Sequence, residues 1–391
     1  MIVAFGTYDV ARHPRAGVLV AGLRARGYTV TELNRPLGFS TAERVRMLRE
    51  PWRLPLLLVR LLACWALLVR DDVAHRRAHG SPDALLVGYL GHFDVVLARL
   101  LHPRTTVVLD HLVFAADTAT DRGAAGLRVT LLRGLDRLAV ACADVVVLDT
   151  AEHRDMLSLL APSRGRRGVV VPVGAPDAWF ADTPGPDGGT PWRAVSDGAA
   201  PAGPAPLRVV FFGLFTPLQG ATVVAAALAD ALPRSRDPGA GRPVEAALVG
   251  HGQDHAAVRA VLDGVPGVTW LDWVEPADLP ALVAGHDVCL GIFSDTPKGL
   301  RVVPNKVFQG LAAGCVVVTS DTPPQRRLLA DHVELVPPAD PAALARRLLD
   351  LADPARLAAA RARAAAARAQ VRPGAVVGPL HAALAARGVR P

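Results

Sequence analysis

The chain has 391 residues, more than one hydrophobic core of ordinary size serves, and 51% of them are hydrophobic, which excludes general disorder. Its formal net charge of +7 suits an anionic partner, yet the arginines are scattered along amphipathic segments with no long run of like charge, a pattern against nucleic-acid binding and compatible with an anionic substrate or membrane surface. The four cysteines, Cys64, Cys142, Cys289 and Cys315, lie far apart in apolar runs without C-x-x-C spacing, which reads as buried free thiols in a reducing compartment.

Met1 to Phe5 is a short apolar run ended by Gly6, and a helical pattern follows over 12–26, the strand-turn-helix opening of a parallel α/β domain. The turn Gly6-Thr7-Tyr8-Asp9 lacks G-x-G-x-x-G, and with no signal peptide ahead of the strand a cytoplasmic protein is expected. A second strand spans 28–33, and a long helical region over 41–79 contains the apolar stretch Leu54–Val69. Interrupted by Arg60, that stretch is too short to cross a bilayer; it reads as a core helix, with peripheral membrane contact as the alternative. β-branched runs at 84–88, 105–109, 144–148 and 168–172 extend a sheet buried on both faces, and this domain is expected to end near Phe180.

Residues 181–206, dense in Pro, Gly, Ala and Asp, read as a linker. The strand-turn-helix pattern restarts at Val209–Gly213, with Thr216 as N-cap and Pro217 at the first helical position. Further strands are expected at 245–249, 268–271, 287–292, 315–319 and 333–336, and helices at 304–313, 340–370 and 375–387. The result is an α/β chain of two Rossmann-like, doubly wound domains: 1–180, and 207–372 followed by a C-terminal helix that crosses back to the first.

One stretch stands out. Of 43 basic side chains the lysines are Lys298 and Lys306, in a sequence that otherwise writes arginine, and Asn305 lies beside them. A compact ammonium on a flexible stem suits a point contact to phosphate.

The segments 209–220, 248–252, 268–274, 286–293 and 304–314, in that order and spacing, resemble the donor-binding domain of family 4 glycosyltransferases of the GT-B fold; 143–153 and 169–177 resemble the same family's last N-domain segments. The resemblance implies two domains facing a central cleft and retaining transfer of a sugar from a nucleotide-diphosphate donor, a uridine or guanosine nucleotide, to an acceptor hydroxyl. It implies no strictly required metal or cofactor. The acceptor is a small molecule or a lipid-linked glycan, the latter with peripheral contact at the inner membrane face. Two other readings remain open: a catalytically silent relative that binds a nucleotide sugar or a partner enzyme, and a Rossmann oxidoreductase.

Carried over by position, Gly213, Leu214, Phe215 and Thr216 form a strand-end loop for the diphosphate, with Lys298, Asn305, Lys306 and Arg301 opposite. His251, Trp273, Val274 and Gln309 fall in the base and ribose region. Relatives place an Arg and a Lys where this chain has Leu214 and Gln219, and a glutamate pair where it has Arg301 and Gln309. These departures predict a diphosphate clamp moved onto 295–306. In the first domain His111 and Asp117 follow the fourth strand and are candidates to orient or deprotonate the acceptor hydroxyl. Tyr8, Asp9, His13, Arg15, His92 and Asp94 are expected along the same cleft, while Glu152 and His153 are expected to face solvent.

Overall fold

The structure, a computed structural model, describes residues 1–10, 13–38, 52, 54–121, 125–180, 205–239 and 241–391. The expected linker, apart from 205–206, and the start of the expected 41–79 helix lie outside them. Two compact units result, Met1–Pro172 with Pro373–Pro391, and Val173–Arg372. The first ends before Phe180 because the segment after Pro172 packs with the second: Trp179 stacks on Phe212 with centroids 5.7 Å apart, and Arg368 donates to the Phe180 carbonyl.

The first unit holds six parallel strands, β1 (Ile2–Gly6), β2 (Val30–Asn34), β3 (Ala84–Val87), β4 (Thr106–Asp110), β5 (Val145–Leu148) and β6 (Gly168–Val170), in the order β2-β1-β3-β4-β5-β6. Side chains alternate along each strand, so Ile2 and Ala4 enter the core on one face while Val3 and Phe5 enter the other. The first core is closed by Val376, Val377, Leu380 and Leu384 from the C-terminal segment, and Tyr28 meets His381 at 3.0 Å. Arg15 is interior, against expectation: 2% exposed, it pairs with Asp110 at 3.1 Å and donates to the carbonyls of Val171 and Pro172. A buried guanidinium persists only when paired this fully, and here it ties the first helix (Arg15–Ala25) to β4 and to the residues after β6.

The second unit repeats the design with β7 (Leu207–Phe212), β8 (Val244–Val249), β9 (Val268–Leu271), β10 (Val288–Leu290), β11 (Val316–Ser320) and β12 (Glu334–Val336), ordered β12-β11-β10-β7-β8-β9. The order reverses between β7 and β10, the position at whose carboxyl ends open α/β sheets bind ligands.

Several boundaries differ from the sequence reading. Residues Pro217–Gln219 form a 3-10 turn, Thr216 makes no capping hydrogen bond, and the helix starts after left-handed Gly220, at Ala221. The expected 340–370 helix breaks into Pro341–Leu351 and Pro354–Ala367, because Asp353 caps the amides of Ala355 and Arg356 and Pro354 has none to donate. The last expected helix is two short ones, Pro373–Val376 and Gly378–Ala385. The helix Leu54–His79 is not a core helix throughout: Leu61, Cys64 and Leu68 form a buried stripe, whereas Leu56, Leu58, Val59, Leu62 and Leu67 are exposed. No described helix is long and apolar enough to cross a membrane.

Candidate functional site

Two loops meet at the switch point of the second sheet. The loop after β7 begins at Gly213, whose φ of 122° is open to glycine, and ends at Gly220, where a Cβ would stand 2.7 Å from the Ser294 amide nitrogen. Phe293 donates its amide to the Gln219 carbonyl, joining this loop to the one after β10. The second loop leads through Pro304 into the helix Asn305–Ala312, which has no side-chain cap.

Lys306, in the first turn of that helix, does not point to solvent. It is 5% exposed, and its Nζ lies 3.9 Å from the Phe211 ring centroid and 3.7 Å from where a Gly213 Cβ would be. The Nζ has no hydrogen-bond partner. Burial lowers its pKa to about 7. An ammonium held dry against an aromatic face and a bare strand end retains three unused donors, the complement of an oxyanion.

The other predicted donor-side residues divide. Asn305 is exposed at the helix start, and Gln309, one turn on, is 9% exposed. Lys298 and Arg301 are half-buried around the 3-10 turn Gly299–Arg301, with Arg301 Nε donating to the Pro297 carbonyl. Phe215 is corrected: its side chain is fully buried and its amide donates to the His251 carbonyl, so it serves the core. Leu214 is 65% exposed, as expected of a loop residue. His251, Trp273 and Val274 follow β8 and β9, on the outer half of the sheet. His251 stacks on His255 at 4.1 Å, and Trp273 Nε1 donates to Glu275.

At the carboxyl ends of the first sheet two predicted histidines meet. His92 and His111 have ring centroids 5.0 Å apart. His92 Nε2 reaches Asp136 Oδ1 at 3.0 Å, and His111 Nε2 stops 3.9 Å from the same oxygen. Neither His111 nitrogen has a hydrogen-bond partner; burial, then His92, lowers its pKa to about 3, so the ring is neutral. Asp136 also accepts from the amides of Ala115 and Ala116. Burial pushes its pKa up, but the His92 and amide hydrogen bonds outweigh this and leave it below the usual carboxylate value. Asp136 escaped the sequence reading, although the helix Leu127–Cys142 holds the signal: 136, 139 and 140 share one face, and the last two are core Ala and Val.

The remaining first-unit candidates are corrected or placed. Tyr8 is 3% exposed and packs in the core, its hydroxyl pKa raised by burial. Asp94 is a structural acceptor for the Thr7 amide and hydroxyl and for Trp65 Nε1. Asp117 lies inside the helix Ala115–Asp121 and does not cap one at 119. His153 is buried and bonded to Asp149, not solvent-facing, because residue 153 falls on the inner face of the helix Ala151–Leu160. Asp9 and His13 sit in the turn after β1, the His13 ring 4.3 Å from Tyr89.

Residues 206–353 match the family described as Glycosyl transferases group 1. This region is a glycosyltransferase domain. The match lies within the second unit and is to transferases, not to oxidoreductases. No curated protein matches the chain by sequence. Among solved structures, the chain is similar to HepE of Anabaena in complex with UDP (16% identity, 99% of each chain, TM-score 0.63). It is also similar to sucrose-phosphate synthase of Thermosynechococcus elongatus (16%, 98% and 99%, 0.64). A third is a UDP-forming α,α-trehalose-phosphate synthase of Burkholderia vietnamiensis (14%, 98% of each, 0.65). At these identities the likeness establishes the two-sheet GT-B fold.

Proposed function

We propose that this glycosyltransferase moves a sugar, with retention of anomeric configuration, from a uridine-diphosphate sugar to an acceptor hydroxyl, with Lys306 as the principal contact to the diphosphate. The observation that carries the reading is the dry, hydrogen-bond-free Nζ of Lys306 beside Gly213, at the loops where β7 and β10 diverge. A diphosphate there supplies the missing acceptors, and the ammonium in turn stabilises the negative charge that develops on the leaving group. Asn305 at the uncapped helix start adds backbone donors, Lys298 and Arg301 add charge, and Gln309 bonds the ribose without a carboxylate in this reading. Uridine is favoured because HepE binds UDP and the trehalose-phosphate synthase is UDP-forming. His111, neutral and with both nitrogens unused, is the candidate in the first unit for contact with an acceptor.

The exposed leucines and valine of the helix Leu54–His79, with Arg60 among them, support a lipid-linked acceptor reached at a membrane surface. Sedimentation with anionic vesicles tests it: binding should fall on changing Leu56 and Val59 to Asp, and equal sedimentation of both proteins would refute it.

The enzymatic test is UDP release from a panel of UDP-sugars, with the product anomer read by NMR. Lys306→Met should abolish turnover and weaken UDP; unchanged affinity and turnover would overturn the assignment. A second reading, a binding protein without turnover, is favoured by Arg301 and Gln309 standing where relatives carry glutamates. Its signature is UDP binding with no release across all donors and acceptors.

A further inference from the structure

The polar cluster of the first unit has a geometry that contact with a sugar does not explain. His92, His111 and Asp136 each offer one ligand atom within 4.8 Å of the other two, and all three residues are buried. Buried polar atoms ordinarily find partners, yet the two nitrogens of His111, a residue 1% exposed, have none. The third member is fixed from behind. The amides of Ala115 and Ala116 hold the Asp136 carboxylate in place, as hydrogen bonds from outside a coordination sphere orient metal ligands.

We propose that His92, His111 and Asp136 form a binding site for a divalent transition ion of the zinc class. Two imidazoles and one carboxylate are a donor set for zinc, cobalt or ferrous iron; magnesium and calcium, which require oxygen ligands, do not fit it. The ion occupies the space between His111 Nε2 and Asp136 Oδ1, now 3.9 Å apart, and takes the place of the proton that His92 Nε2 donates to that oxygen. His92 changes tautomer, its proton moving to Nδ1, and Asp136 keeps the same number of partners. Three protein ligands leave a fourth position for water. The ion joins the loops after β3 and β4 to the helix Leu127–Cys142, so its first effect is on the stability of the first unit.

The site is independent of the diphosphate contact at Lys306, and its failure would leave that reading untouched. The test is a cobalt titration of the chelator-treated full chain, read by the visible ligand-field absorption, with the unfolding midpoint measured with and without zinc. The expected result is saturation at one equivalent with an intense tetrahedral-type band, and a midpoint raised by zinc. Both should be lost in His92→Gln and in His111→Gln, with far-UV circular dichroism confirming that each variant folds. If one variant does not fold, the other decides. Absence of a band at excess cobalt overturns the proposal, as does a band that survives in a folded variant, which would place the ion elsewhere.

Discussion

Donor binding should be coupled to proton uptake at Lys306. In the free protein burial lowers its pKa from 10.5 to about 7, so at pH 8 roughly nine molecules in ten carry a neutral amine there. A bound diphosphate favours the ammonium. Binding of UDP at pH 8 should therefore take up about 0.9 proton, and affinity should fall about fivefold from pH 7 to 8 and about ninefold from pH 8 to 9. Calorimetry in two buffers of different ionisation heat reads the proton count directly, at a pH where UDP itself no longer titrates. Lys306→Met should bind more weakly and without uptake. The same shift acts on stability. The unfolded lysine holds its proton to pH 10.5 and the folded one only to about 7, so stability rises with pH across that window and is flat below it. The penalty at pH 7 and below is on the order of 5 kcal/mol, which Lys306→Met should relieve in part. Proton uptake of zero, with an affinity independent of pH in both proteins, would refute the reasoning.

Three further outcomes follow from the packing. Arg15→Met strands Asp110, whose pKa burial already raises, and should cost about 3–5 kcal/mol in urea unfolding; a loss below 1 kcal/mol would show the pair to be dispensable. Gly220→Ala adds a Cβ 2.7 Å from the Ser294 amide nitrogen, at a left-handed residue, so the midpoint should drop and UDP affinity weaken together; an unchanged melt would mean that the two loops do not touch. Trp65→Phe removes one donor from buried Asp94 and should cost about 1–2 kcal/mol in urea unfolding; an unchanged midpoint would show the bond to be dispensable.

The two-sheet architecture was legible because parallel strands buried on both faces are continuous apolar runs, and Val209–Phe212 and Val145–Leu148 read that way. Lysine usage drew attention to 295–306, but only the fold reveals that Lys306 turns inward over Phe211. Arg15 and Asp94 follow strand ends or start helices, where sequence position suggests a ligand. Long-range pairing absorbs them instead: Arg15 with Asp110, Trp65 with Asp94. Asp136 was missed for the converse reason. Its partner His92 is 44 residues away, and an acid in a helix reads as solvated until its face is known to be the core.

The placement of 373–391 with the first unit also sets a schedule for synthesis. Residues 173–372 make a unit of their own and are complete before 373–391 leave the ribosome, whereas the core beneath Ala4, Leu19 and Leu86 lacks Val377, Leu380 and Leu384 until they do. The half of the chain translated first therefore gains its last helices after the second unit has been made, and until then the outer side of its first helix and the β6 edge lack their apolar cover.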